Sequence, residues 1–193
     1  MDVILESHRS NLGDFCTDAN KLPMADKYTI AFWEKIATKY KDDGGVLFEL
    51  FNEPHDITPE VWLHGAASGC SPGPPWVTDN KTCTQSGPWV GMQQLYDTIR
   101  GTGTNNLVLV SGLDWGFDLS MVGAGYMLQG YNIIYDAHVY NFDHKPISEW
   151  HRNWGYLVDD LALPMLFSEY GSVDCKPGYD FEKVQWGIPY QIP

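Results

Sequence analysis

Apolar residues along this chain recur with two different spacings. Five short segments, Asp2 to Ser7, Val46 to Phe51, Asn106 to Ser111, Asn132 to His138 and Pro164 to Glu169, have near-continuous apolar centres rich in Val, Ile, Leu and Phe. Such runs predict strands buried on both faces, as in a parallel sheet. Between several of them the spacing changes to three and four. From Tyr28 to Tyr40, residues Phe32, Trp33, Ile36, Ala37 and Tyr40 share one helical face while Glu34, Lys35 and Lys39 take the other, and Gly44-Gly45 ends the unit. A second helix is predicted after Ser86-Gly87 with Pro88 in its first turn, stacking Trp89, Met92, Leu95, Tyr96 and Ile99 before Gly101. A third is predicted from Ser148 to Leu161, with Trp150, Trp154, Leu157, Val158 and Leu161 inward. Strands alternating with helices read as βα units of an α/β fold.

The segment from Ile57 to Gly87 carries no such pattern. It is rich in Gly, Pro, Ser and Thr and holds Trp62 and Trp76, which suits an ordered binding loop. Trp115, just after the third strand, is a further candidate platform for a ligand with an apolar face. No repeat or linker divides the chain, which reads as a single domain over residues 1–193.

Charge narrows the partners. A net charge of -13 argues against nucleic acid or an anionic membrane surface and favours a neutral ligand. No stretch approaches the roughly 18 apolar residues of a membrane span, and Met1 to Glu6 lacks the basic start and apolar run of a signal peptide. Four cysteines allow three pairings. Cys70 and Cys83 bracket a Pro/Gly-rich stretch, where a bridge would contribute about 3 kcal/mol through loop entropy. Cys16 and Cys175 pair only if their loops meet, and four reduced cysteines are the alternative. A disulfide would imply an extracellular parent protein.

Two of the strands end in carboxylates: Glu53 follows Val46 to Phe51, and Glu169 follows Pro164 to Ser168. Parallel sheets keep their chemistry at the C-terminal ends of their strands, so both side chains are candidates for one site. Cleavage of a glycosidic bond needs one carboxylic acid to protonate the leaving oxygen and one carboxylate at the anomeric centre. Strand alternation also turns Asp136 to the face of His138. Glu49 is expected between sheet and helix with a partner. His55, His64, His144 and His151 show no metal-ligand spacing, so no metal and no cofactor is expected.

The stretch from Ile30-Ala31-Phe32-Trp33 through Glu49-Leu50-Phe51-Asn52-Glu53-Pro54-His55, with Ile4-Leu5-Glu6-Ser7-His8, Tyr135-Asp136-Ala137-His138-Val139-Tyr140 and Leu166 to Gly171, resembles glycoside hydrolase family 5, the retaining cellulases and related β-glycanases. The resemblance implies a (β/α) barrel of which strands three to seven are matched, with Glu53 as acid/base and Glu169 as nucleophile. It further implies Asn52 on the sugar 2-hydroxyl, His138 and Tyr140 ordering the two carboxylates, and His8 contacting substrate; beside it stands the separate reading of Trp115 as a platform for a sugar ring, with a satellite-core residue as the alternative. The expected activity is an endo-β-1,4-glucanase, with a β-glucan polysaccharide or oligosaccharide as partner. An arginine beside the nucleophile and a tryptophan from the eighth strand, which the family draws from strands unmatched here, have no matched position. A catalytically impaired sugar-binding or self-assembling barrel fragment is therefore the alternative. A five-stranded partial barrel exposes two sheet edges, so self-association through the first and last strands is a further expectation.

Overall fold

In the computed structural model, residues 2–8, 22–67, 88–140 and 145–171 are described. The four cysteines, Trp76 and His144 lie outside them. The elements are β1 (Val3–Glu6), α1 (Lys27–Tyr40), β2 (Val46–Glu49), α2 (Pro59–His64), α3 (Met92–Gly101), β3 (Val108–Ser111), the one-turn α4 (Leu113–Gly116) and α5 (Ser120–Gly123), β4 (Ile133–Asp136), β5 (Val139–Tyr140), α6 (Tyr156–Asp159), β6 (Met165–Leu166) and β7 (Tyr170–Gly171). β1, β2, β3, β4 and β6 form one five-stranded, wholly parallel sheet in that order. All five expected strands are therefore present. β5 and β7 form a second parallel pair that prolongs β4 and β6.

Helix α1 begins where the sequence can close a reciprocal cap. Asp26 accepts hydrogen bonds from the Tyr28 and Thr29 amides at 2.9 and 3.1 Å, while Thr29 Oγ1 accepts from the Asp26 amide. Thr29, Trp33 and Ala37 then bury one stripe against the sheet. Trp33 meets Phe48 edge to face at 5.5 Å, and its indole donates to the Leu50 carbonyl at 2.8 Å. Phe48 thus faces the helices, and by alternation Glu49 faces the other side of the sheet. That overturns the expectation for Glu49: it has partners, but on the face opposite α1.

The other two helices also differ from their patterns. α3 starts at Met92 rather than near Pro88, because Trp89 is held in an antiparallel bridge with Ala66. A side chain at Gly91 would collide with the Leu63 carbonyl, at 2.4 Å, so the chain crosses α2 there as an extended backbone. The predicted helix from Ser148 breaks into a 3-10 turn (Ile147–Glu149), a π turn (His151–Gly155) and α6. The Asn153 carbonyl leaves the helical ladder to accept the Leu119 amide at 2.9 Å. Leu157 is buried, but Val158 and Leu161 face solvent instead of the core. The supposed loop after Ile57 contains α2, and Trp62 within it is a core residue whose indole donates to the Ser111 carbonyl at 3.0 Å, not a platform.

β6 and β7 carry the feature that positions the site. Tyr135 pairs with Met165, yet Val139 pairs with Tyr170, so the second strand holds one extra residue between its two ladders. This is a β-bulge, and it spans Phe167 to Glu169. The unpaired amide of Ser168 is satisfied by the Asp136 carboxylate at 2.8 Å.

Replacing Trp33 by Phe leaves the Leu50 carbonyl without its buried donor and should cost about 1–3 kcal/mol. Chemical denaturation of the variant, with an unchanged slope and a lowered midpoint, checks this.

Candidate active site

Both expected carboxylates reach one point in space. An oxygen of Glu53, a ring nitrogen of His138 and an oxygen of Glu169 all lie within 4.8 Å of one another. His138 Nδ1 donates to Glu53 Oε1 at 3.1 Å and stands 3.5 Å from Glu169 Oε2. Tyr140 donates its hydroxyl to Glu169 Oε2 at 3.1 Å; burial and the Glu169 charge push its phenol up, which keeps it the donor. The Glu53 side chain is 14 % exposed and that of Glu169 is 34 % exposed. One carboxylate is thus the drier of the two.

Asn52 joins the same cluster. Its amide orientation follows from its neighbours, because the alternative would aim the carbonyl oxygen at two carboxylates. With nitrogen inward it donates to Glu169 Oε1 at 3.1 Å and to Glu6 Oε2 at 2.6 Å, while its oxygen accepts from His8 Nδ1 at 3.3 Å. His8 also bonds Glu6 Oε1 at 3.0 Å. Glu6 is a site residue that motif reading passed over. Its signal was present in β1, where period-two alternation puts Glu6 on the face of His8.

Beneath the pair lies a buried layer. His138 is 1 % exposed and Asp136 and Glu49 are 0 % and 2 % exposed, too dry for any of the three to be left without a partner. Asp136 Oδ2 and Glu49 Oε1 stand 3.6 and 3.7 Å from His138 Nε2, and Ser111 donates to Glu49 Oε1 at 2.7 Å. Ser168 Oγ bonds Asp136 and lies 3.3 Å from His138 Nε2. Asp136 therefore takes the inward position that alternation assigned it. Burial alone would push the His138 pKa down, but the carboxylates of Asp136, Glu49, Glu53 and Glu169 outweigh it and raise it to about 12. Burial also pushes the Glu49 carboxyl up. The donor sets Glu49–Asp136–His138 and Glu53–His138–Glu169 have the spacing of a cation site. Both sets need the His138 ring to give up a proton before it can ligate, which its raised pKa opposes.

The backbone at the rim is strained. Asp114, Trp115 and Gly116 take positive φ in succession, at 51°, 61° and 77°. The left-handed conformation costs roughly 1–2 kcal/mol for a residue with a Cβ. Gly116 is there for a second reason: a Cβ on it would meet the His138 ring at 2.7 Å, and its carbonyl accepts the His138 amide at 3.0 Å. Trp115 donates its amide to the Pro54 carbonyl at 3.0 Å and stacks on His55 at 3.7 Å, and His55 Nδ1 donates to the Glu53 carbonyl at 2.9 Å. One face of the proposed platform is thus occupied by a histidine. His64 and His151 are exposed and remote from this cluster, whereas His55 is buried within it.

The profile of the cellulase family, glycosyl hydrolase family 5, matches residues 1–192. The chain belongs to glycosyl hydrolase family 5. It is 26% identical to endoglucanase A of Ruminococcus albus, over 97% of this chain and 54% of that protein. It is also 26% identical to an endoglucanase of Paenibacillus polymyxa, over 89% of this chain and 45% of that protein. The chain spans about half the length of these relatives. Among solved structures, an endocellulase from Pyrococcus horikoshii in complex with cellotetraose superposes with a TM-score of 0.64 at 20% identity, over 96% of this chain and 56% of that one. A beta-glucanase from Saccharophagus degradans, also with cellotetraose, gives 0.56 at 22% identity, over 84% and 44%. These likenesses show the fold, a partial β/α barrel of family 5.

Two outcomes follow from the buried layer. The His138 pKa in the folded state lies above its ordinary 6.5, so the stability it contributes is complete below pH 6.5 and is lost as pH rises toward about 12. The raised Glu49 carboxyl acts in the same direction, from its ordinary 4.5 upward. Denaturation midpoints should fall as pH is raised, and NMR of the His138 ring should show both nitrogens protonated from about pH 5 to about pH 9. Second, Gly116→Ala pushes on the His138 ring and adds a left-handed Cβ, so folding stability should drop by roughly 1–3 kcal/mol and the His138 ring resonances should shift.

Proposed function

We propose that this chain is the catalytic part of a retaining endo-β-1,4-glucanase, with Glu169 as nucleophile and Glu53 as acid and then base. The observation that carries the reading is the separation of the two carboxylates, whose oxygens approach within 4.8 Å. Retaining glycosidases hold their carboxyl groups about 5–5.5 Å apart, whereas inverting enzymes open the gap to about 6.5–9.5 Å for a water.

In this mechanism Glu169 attacks the anomeric carbon while Glu53 gives its proton to the leaving oxygen. A water then enters, loses its proton to Glu53 and releases the sugar from Glu169 with net retention. His138 holds Glu53 and Tyr140 holds Glu169; in this reading the Asn52 amide, which donates to Glu169 Oε1, also serves the sugar 2-hydroxyl. The imidazolium between the acids is a fixed donor rather than a proton shuttle. The names of the relatives, two endoglucanases, and the cellotetraose in two of the structural neighbours support a β-1,4-glucan as substrate. An extracellular parent protein, and a Cys70–Cys83 bridge within it, belong to the same reading, since a polymeric glucan is met outside the cell.

A second reading rests on the sheet itself. Among the described residues β1 and β6 each have one neighbour in the sheet, and Val3 and Ile4 on β1 are each 38% exposed. An open edge of this kind fits a fragment that binds sugar or pairs with its own copies without turnover.

Assays on soluble cellulose derivatives separate the two. Under the enzyme reading, Glu169→Ala abolishes reducing-end release and Glu53→Ala lowers it by ~10²–10⁴-fold, and NMR of a fresh digest shows the β-anomer first. Under the second reading, oligosaccharide binds with no release, and sedimentation reports a species larger than one chain.

A further inference from the structure

Lys145 is buried, 5% exposed, and the mechanism above makes no use of it. Its ammonium donates to the Asp114 carbonyl at 2.7 Å, pairs with Asp114 Oδ2 at 3.2 Å and lies 4.8 Å from the centre of the Phe117 ring. A lysine spends hydration to be buried, and here both main-chain and side-chain oxygens of one residue receive it. That residue opens the left-handed turn.

The turn is a hub. At its base, Leu113 and Asp118 exchange both backbone hydrogen bonds at 2.8 Å. Past that base, Asp114, Trp115 and Gly116 hold a conformation that a chain of L-residues leaves when it is free to. Two lines run from it into the catalytic centre. Through the Trp115 amide and the Trp115–His55 stack it grips Pro54 and His55, which flank Glu53 on the chain, and His55 in turn grips the Glu53 carbonyl. Through Gly116 it carries the His138 amide and makes room for the His138 ring.

We infer that Lys145 is a positioning residue, a lock that holds the strained Asp114–Trp115–Gly116 turn and thereby sets Glu53 and His138 relative to one another and Trp115 relative to the sugar. This rests on the glucanase reading for what the turn aligns, but not for the lock itself. Its chemistry is specific. A planar guanidinium cannot reproduce a point charge shared between one carbonyl and one carboxylate, so arginine should serve only in part. Among the charges facing Lys145 are Asp114 on the turn and, further off, Glu53 and Asp118. Removing the ammonium therefore loosens the turn and takes away the ion pair of Asp114 with Lys145.

The test compares the whole chain with Lys145→Met and Lys145→Arg. In ligand-free protein, the Trp115 indole N–H resonance, assigned by its loss in Trp115→Phe, and the His138 ring resonances should both move in Lys145→Met and move less in Lys145→Arg. On soluble β-1,4-glucan oligosaccharides, kcat should fall on the order of tenfold to a hundredfold in Lys145→Met as the acid loses its alignment, with KM rising as Trp115 shifts. A role in folding alone would lower the melting temperature and leave both resonances and the kinetics of the folded protein in place, and that result overturns the lock. If Lys145→Met does not fold, Asp114→Asn keeps the side-chain volume and the bond to the carbonyl while removing the ion pair; it should move the same resonances by less, and unmoved resonances there overturn the inference equally. Resonances that move in Lys145→Met, together with a wild-type chain that turns over no glucan, would leave the lock standing and bring down the functional reading instead.

Discussion

Four carboxylates facing one fully buried imidazole set the terms for the rest of this structure. Glu53 and Glu169 approach His138 from the open side, Asp136 and Glu49 from beneath. Acids gathered this closely repel one another in a dry site unless a cation stands among them. His138 answers that need from the junction between β4 and β5. Its ring position then dictates the surroundings: a glycine at 116 where any larger residue would collide, a serine at 168 within reach of Nε2, and a tyrosine at 140 one alternation further along the strand to take the outer oxygen of Glu169.

Several conflicts between local preference and global need gather at the site. The left-handed turn at Asp114 and Trp115, the buried lysine and the irregular ladder of β6 and β7 each break a rule of local structure there, while Asn132 and Ala162 take positive φ elsewhere. The sheet and α1 obey those rules throughout, with a reciprocal cap, apolar stripes and an uninterrupted parallel register. This division is the usual one in enzymes, in which a consistent scaffold holds a minority of strained positions in place.

The same division decides what could be read from the chain. The five strands were legible because each is an apolar run, although the edge strands β1 and β6 are only partly buried where burial on both faces was expected, and α1 because its stripe coincides with its cap. Glu53 and Glu169 were legible because a carboxylate has few reasons to stand at the end of such a strand. Trp62 misled, since an indole in a Gly/Pro-rich neighbourhood looks free until its N–H is seen to reach the Ser111 carbonyl across the fold. Val158 and Leu161 misled because a helical period was projected through Asn153, whose carbonyl is claimed by Leu119 from elsewhere in the chain. Lys145 and the inward face of Glu49 depend on partners far away in sequence, Asp114 for the one and Ser111 and His138 for the other. Glu6 was within reach of alternation, two residues before His8, but belongs to no motif.

The extra residue in the β6–β7 strand has a consequence for how such domains can be recombined. It brings Ser168 and Glu169, adjacent in sequence, to the same side, one onto Asp136 and the other onto Tyr140. A regular strand would send one of them outward, because the pleat alternates at every residue. A chimera whose crossover falls between Leu166 and Glu169 and drops that residue would keep every carboxylate in the polypeptide and still turn Glu169 away from Glu53 and His138. The parity of the strand is thus as much an inherited component of this centre as the acids it displays.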